Sequence, residues 1–589
     1  MNRAALLQIL LPCLSWARQY DGRQFVSDLV AALIVTLMLI PQSLAYALLA
    51  GMPAEAGLYA SILPLIAYAI FGSSRTLSVG PVAVVSLMTA VAAGKAATDL
   101  GVPALQAAML LAFLSGLMMT LLGVLRFGFI ANFLSHPVVA GFISSSGIII
   151  VLSQIRHLLG IRSSGDNVPE LVTTLLASIG DINGTTVMLS LPTLIYLLGV
   201  RRYLQPALRR MGISAFAASM AAKAAPVAAI IATTLLAWLL KLDTRGVALI
   251  GSIPASLPSL QLPTLTLAMI GHLAIPALLI SIIGYVESVS VGKTLGSKRQ
   301  QKIDPDQELI GLGAANIASS ISGGFPVTGG FSRSVVNFDA GAVTQAASVL
   351  TAVGILVATL VLTPLLAWLP NATLAATIIV AVIGLIDFSI LRLTWNYSMN
   401  DFIAVSATII ATLLFGVEAG VSCGVLASLL LHLYKSSRPH VAEVGEVPGT
   451  QHFRNVKRHQ VITHDSQLSL RVDESLYFAN ASYIEDEIFR TLDQRPRIRN
   501  VVLMCSAVNE IDLSALEVLE TINNRLKARD IGFHLSEVKG PVMDALRRVD
   551  FLQHLNGDVF LSQSQAVDTL CKRELQSHRV HPEYQDFQI

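Results

Sequence analysis

The stretch GGFPVTGGFSRSVVN, residues 323–337, decides how this chain is read. It carries four glycines, a proline, three hydroxyl side chains and one arginine, yet it lies between apolar segments suited to lipid. Each unpaired backbone N–H or C=O in hydrocarbon costs several kcal/mol, so such backbone survives at membrane depth only where protein buries it or a wet cavity solvates it. The stretch is therefore either a loop outside the bilayer or the place where the protein does its work.

Working outward, composition frames the choice. Of 589 residues, 53% are hydrophobic and only 13% charged, about half the charge density of a soluble domain. That argues for a polytopic membrane protein. A net charge of +2 gives no reason to expect a nucleic-acid partner. Cys13, Cys423, Cys505 and Cys571 lie far apart and, like the scattered histidines, form no metal-ligand spacing, so no metal, disulfide or cofactor is expected. No P-loop is present, and no enzyme is expected. The opening MNRAALLQILLPCLSW has an apolar run without a small-residue cleavage site and reads as an amphipathic helix on the cytoplasmic surface.

About 20 apolar residues span a bilayer as a helix. Clear candidates are 29–50, 103–124, 136–155, 185–200, 224–240, 272–292, 345–366, 371–386, 401–415 and 417–434. Shorter pieces at 56–71, 79–92, 308–321 and 331–343 look too short or too glycine-broken to cross alone, and bring the count to about fourteen. Basic residues cluster at the N-terminus, at Arg201/Arg202/Arg209/Arg210, at Lys293/Lys298/Arg299/Lys302 and at Lys435/Arg438. Cytoplasmic loops carry the Lys/Arg excess, so both termini are expected inside. After Arg438 charge rises and long apolar runs stop. QLSLRVDESLYFA alternates like strand, while DLSALEVLETINNRLKARD has helical spacing with Asp512 placed to cap it. Alternating strands and helices indicate an α/β domain of about 100 residues. The expected division is a 1–24 cytoplasmic segment, a 25–438 transport domain, a 439–466 linker, a 467–575 α/β domain and a 576–589 tail.

The last domain's VDESLYFANASYIEDEI, VVLMCSAVNEIDLSALEVLE and GFHLSEVKGPVMDALRRVDF resemble a STAS domain. In that family a serine in the position of Ser514 can be phosphorylated; equally, Asp512 and Ser514 complete an ordinary helix N-terminus. Before it, IPQSLAYALLAG (40–51), AGLYASILP (56–64), FGSSRTLSVGPVAVVSLM (71–88), GYVESVSVGK (284–293) and the opening stretch resemble, in order, the signatures of the SulP family of sulfate-permease-like anion transporters. The resemblance covers about residues 20 to 570. It implies a seven-plus-seven inverted repeat with core and gate domains, two broken helices meeting near the midplane, a homodimer, and residence in the cell's inner (cytoplasmic) membrane.

The chemistry of the stretch stands beside that resemblance. A helix N-terminus leaves about four N–H groups unpartnered and carries roughly half a positive charge, so two such ends facing one cavity make an anion site. Pro81 suits the first turn of one helix, with Val82 and Ala83 offering N–H groups; Gly330, Phe331 and Ser332 begin the other. Gln42 and Tyr46 share a helix face and can donate to an oxyanion, or bond another helix instead. Arg333 is either beside the anion or an interfacial cation. Glu287, flanked by ALLISIIGYV, is a helix-end residue or a titratable coupling group; at this place the resembling eukaryotic sulfate transporters carry the acid implicated in proton coupling. Gln42 precedes Pro81 by 39 positions and Glu287 precedes Pro326 by the same 39, as a duplicated unit would leave. The expectation is a secondary active transporter of a small oxyanion, sulfate with a proton foremost. Sodium-coupled bicarbonate transport, proton-coupled dicarboxylate transport and a passive anion channel are the alternatives.

Overall fold

The computed structural model describes residues 11–132, 135–251, 256–258, 260–361 and 363–579. The expected N-terminal helix is described only as Cys13–Ala17; residues 1–10, and 580–589 of the expected tail, lie outside. The chain forms two compact units, Met1–Ser428 and Leu429–Ile589.

In the first unit the apolar runs become two sets of seven helical segments. The first set is α1 (Gly22–Leu49), α2 (Ala54–Phe71, bent at 60–62), α3 (Ala83–Leu100), α4 (Ala104–Val124), α5 (His136–Leu159), α6 (Gly184–Arg210) and α7 (Ala215–Leu239). The second is α8 (Leu267–Lys298), α9 (Pro305–Ile321), α10 (Phe331–Asp339), α11 (Ala346–Val361), α12 (Asn371–Ile383), α13 (Met399–Phe415) and α14 (Val417–Ser437). Among the described residues, nine helices are long and apolar enough to cross a membrane. The helices outrun their apolar runs where polar residues find partners. Asp21 caps α1 by accepting from Gln24 N, and Asp28 is fully buried, accepting from Val343 N at 2.6 Å and Thr344 Oγ1 at 2.6 Å.

Packing sorts the helices by position within each set. The first four of each pack together: α4 lies against α3, α8 and α9, α2 against α9, and α1 against α10 and α11. The last three do likewise, with α5 against α12 and α13, and α6 and α7 against α12. These are the core and gate groups of an inverted repeat, and α1 touches both, packing on α7 and α12.

Two short strands complete the repeat. β1 (Val79–Gly80) and β2 (Thr328–Gly329) pair antiparallel, Val79 with Gly329 and Gly80 with Thr328. The 79–92 piece was expected as one apolar segment; its first residues are instead this strand. Pairing keeps the backbone extended through Val82 (φ −131°, ψ 154°), so Pro81 precedes the N-cap rather than occupying the first turn. Pro326 lies before β2, and Gly330 alone joins β2 to α10. The equal 39-residue spacings therefore do not mark equivalent positions.

The second unit is a six-stranded sheet in the order β4-β3-β5-β6-β7-β8, from β3 (Val441–Glu446), β4 (Phe453–Asn455), β5 (Gln467–Val472), β6 (Asn500–Met504), β7 (Gly532–Ser536) and β8 (Val559–Phe560). Helices α15 (Ala481–Gln494), α16 (Leu513–Lys527), α17 (Gly540–Arg548) and α18 (Gln563–Arg579) accompany it. Strands β5 to β8 run parallel, as connecting helices require. The 439–466 span, expected as a linker, supplies β3 and β4 instead: β3 pairs antiparallel with β5, burying Ala442 and Val444.

Candidate functional site

The site is built where the two half-sets cross. α3 starts with Val82 as N-cap and α10 with Gly330, and neither has a side-chain cap hydrogen bond. Elsewhere in the unit α1, α6, α7, α8, α9 and α13 are capped by Asp21, Asn183, Ser214, Thr266, Asp304 and Ser398, while α2, α4, α5 and α12 also start without a side-chain cap. α3 and α10 differ from those four in that their starts are joined through the β1–β2 pair. An uncapped N-terminus in an apolar interior leaves first-turn N–H groups for a ligand.

A hydrogen-bond frame fixes both ends. Gly330 N donates to Ser78 O at 3.3 Å, and Ser78 N donates to Ser334 Oγ at 3.0 Å, stitching the approach to α3 onto α10. Gly329 N donates to Ser288 Oγ at 2.9 Å, and Thr328 Oγ1 donates to Gly284 O at 2.6 Å, which anchors β2 to α8 beside Glu287. Asn316 brackets Val327, bonding both its N and its O at 2.9 Å. Gln345 Nε2 donates to Ser74 O at 2.7 Å and Leu77 O at 2.9 Å. A buried carboxylate completes the frame: Glu308 Oε1 accepts from Ser73 N, Ser73 Oγ and Ser74 N at 2.7–2.9 Å, and Oε2 accepts from Tyr68 Oη at 2.7 Å.

Arg333 folds back over the strand pair. It is 3% exposed, Nη2 donates to Thr328 O at 3.4 Å, and Nη1 has no hydrogen-bond partner. The guanidinium packs closely over glycine: a Cβ at Gly330 would meet Arg333 Nε at 2.9 Å, and one at Gly80 would meet Nη1, so a side chain at either position would have to displace it. The guanidinium interacts electrostatically with Glu287 on α8 and Tyr46 on α1. A buried arginine with a free N–H pair, between two uncapped helix ends, is equipped to hold an anion.

The other expected residues fall as follows. Pro81, Val82, Ala83 and Gly330 are buried at the strand–helix junctions, whereas Phe331 and Ser332 are exposed. Gln42 and Tyr46 lie one turn apart on α1, both half-buried, and Glu287 is half-buried on α8. Ser514 belongs to the second unit, exposed in the first turn of α16, where Asp512 is the N-cap and accepts from Ala515 N at 2.8 Å. Residue-by-residue reading missed Glu308 and Thr328, and weighed Ser288 only as a cation ligand beside Glu287, not as the anchor of β2. Glu308 stands in the first turn of α9 after an Asp-Pro pair, a position that reads as an ordinary dipole-facing acid; its partners lie more than 230 positions away.

The fold is a bundle of apolar helices built as an inverted repeat, in which two uncapped helix starts lie beside a buried arginine, followed by an α/β domain. The comparisons give the family. The sequence profile described as "Sulfate permease family" matches residues 25–408, and that of the STAS domain matches 458–566. This chain belongs to the sulfate permease family. It is 34% identical to Sulfate transporter 4.1, chloroplastic, of Arabidopsis thaliana, over 99% of this chain and 85% of that protein. It is 31% identical to High affinity sulfate transporter 2 of Stylosanthes hamata, over 96% and 86%. In fold it matches the structure of SLC26A9 with a TM-score of 0.87 at 22% identity, covering 98% of this chain and 95% of that one. The protein is thus a multi-pass membrane anion transporter with a STAS domain, of a family of transporters rather than enzymes, whose substrate is an inorganic anion.

Proposed function

We propose that this chain takes up sulfate by secondary active symport with protons. One observation carries the reading: the two uncapped N-termini of α3 and α10 are stitched together around Arg333, whose Nη1 lacks a partner. Backbone N–H groups near Pro81, Val82 and Ala83 and at Phe331–Arg333, with the Ser332 hydroxyl and the Gln42 and Tyr46 donors, suit a compact tetrahedral oxyanion. Relatives named as sulfate transporters support the choice of substrate.

Glu287 is the coupling residue in this reading. It interacts with Arg333, which faces the anion. An ionised carboxylate beside a bound dianion costs energy at low dielectric, so protonation and anion binding favour each other. Symport follows if the protonated, loaded carrier reorients and the ionised, empty one does not. Sodium is the rival, with Ser288 as its second ligand. That hydroxyl already accepts from Gly329 N and lies 2.7 Å from Thr328 Oγ1, which favours the proton.

The same reading assigns both termini to the cytoplasmic side of the inner membrane, from the loop charges. It also assigns transport to residues 25–438, pairs two copies with the STAS domains contributing, and keeps Ser514 as a modification site. The test is uptake into liposomes of labelled sulfate, bicarbonate and fumarate, each with and without proton and sodium gradients at fixed membrane potential. Sulfate accumulation driven by the proton gradient is expected. Accumulation driven by sodium alone would sink proton coupling, and bicarbonate or fumarate uptake without sulfate uptake would sink the substrate.

A further inference from the structure

A second basic cavity lies away from the α3/α10 crossing. It is a groove, broadly open to the surface, between the C-terminal end of α5 and the short helix Val168–Ala177, with a volume of about 480 Å³, and is lined by Arg156, His157, Arg162, Ser164 and Thr174 among others, with no carboxylate in its wall. That volume is ample for a hydrated small anion.

Its charges are organised and, among the described residues, form no ion pair. Arg156, half-buried, donates from Nη1 to Ser163 O at 2.8 Å and from Nε to His157 Nε2 at 3.2 Å. Accepting through Nε2 leaves His157 its Nδ1–H as a donor. Among the described residues neither Arg156 nor Arg162 forms an ion pair with a carboxylate. The nearest acid of the short helix is spent elsewhere: Glu170 accepts from Asp166 N at 3.0 Å and Asn167 Nδ2 at 2.8 Å, as part of that helix's cap. One basic residue at a helix C-terminus is explained by the macrodipole. Arg162, exposed in the following loop, is not.

Position adds a reason. With the N-terminus inside, this is the outer face, where the short loops carry few other basic residues, so these arginines run against the topological bias. The cavity loop also packs near the start of α14, a gate helix that is ion-paired to the core group. A Cβ at Gly416, just before α14, would meet Asp166 O at 3.0 Å, and Lys95 near the end of α3 pairs with Glu418 of α14 at 3.5 Å.

We propose that this cavity is a second anion-binding site, taking a free inorganic oxyanion such as sulfate and holding it at the outer face. It rests on the transport reading only for the face it occupies and the probe. The experiment is equilibrium binding of labelled sulfate to the purified full-length protein in detergent, with and without added phosphatidylglycerol. In an Arg333→Gln background, sulfate binding is expected to persist, to weaken tenfold or more on adding R156Q/R162Q, and to survive R156K/R162K, which keeps both charges. Binding in that background that R156Q/R162Q leaves unmoved, or that the lysine pair loses equally, overturns the proposal. So does displacement by phosphatidylglycerol, which would make the ligand a lipid headgroup. Sulfate binding that is the same with and without Arg333→Gln would instead remove the α3/α10 reading and leave this site standing.

Discussion

The two units of this chain differ in how completely they satisfy their buried polar groups. Among the described residues, buried side-chain atoms with no hydrogen-bond partner fall almost wholly in the membrane unit, and Gln467 Oε1 is the one in the STAS unit. In the STAS unit Asp512 caps α16, Gln563 bridges Ser536 and Ser469, and His534 uses both ring nitrogens, Nδ1 accepting from Asp558 N and Nε2 lying 3.2 Å from Asn500 Oδ1. In the membrane unit Ser78 Oγ, Ser86 Oγ and Arg333 Nη1 are left open near two uncapped helix ends. Unpaired buried groups are costly. The unpartnered atoms are spread over the membrane unit, and the few that gather at the β1–β2 crossing beside Arg333 are the ones the proposed anion site would use.

The strongest way to break the comparison is to cap an open end. Gly330→Asp places a carboxylate where the anion's charge would sit, next to Arg333, and should cut sulfate uptake by roughly 100-fold or more. Gly330→Ala adds bulk without charge and should lose far less; equal losses in labelled-sulfate uptake would point to crowding of Arg333 instead. Glu287→Gln comes next. It imitates the protonated acid, so it should still bind sulfate while uptake no longer rises as external pH falls. A normal pH response in that variant would move coupling to another group.

Two predictions sharpen the satisfied side. Burial holds the His534 imidazole down at about 4, below its ordinary 6.5. A folded value below the unfolded one means its contribution is complete above about 6.5 and is lost as pH falls toward about 4, some 2–3 kcal/mol at most. Hydrogen exchange of residues 532–536 in the full-length protein, corrected for intrinsic rates, should therefore quicken from pH 7 to pH 5. His534→Asn should flatten that dependence. Smallest is Asp512→Ala, which removes a cap and should destabilise the STAS domain by about 1 kcal/mol without changing sulfate affinity.

How much of this was legible depends on where each signal resides. The spans were readable because burial in lipid is written as local composition, and their centres agree with the helices; the start of α1 at 22–28 was not, because Asp28 there is kept by partners on α11's approach. β1 and β2 are two residues each, too short for any alternation, and exist only through pairing across the repeat. The 439–466 span reads as polar connection because β3 and β4 are short and partly exposed, and pairing again makes them strands. Arg333 and Glu287 stood out as charges in apolar surroundings. Glu308 did not, because a carboxylate after Asp304-Pro305 looks like a helix start until Tyr68 and Ser73 are seen on it.

The central claim is that the open ends of α3 and α10, with Arg333 between them, hold the transported anion. Equilibrium binding of labelled sulfate to the purified wild-type, Arg333→Gln and Gln42→Ala proteins tests it most directly. Arg333→Gln should weaken the transport-site affinity by about tenfold or more through lost electrostatic attraction, and Gln42→Ala by less, through one lost donor. Unchanged sulfate binding in both variants would contradict the account and put the anion elsewhere in the molecule.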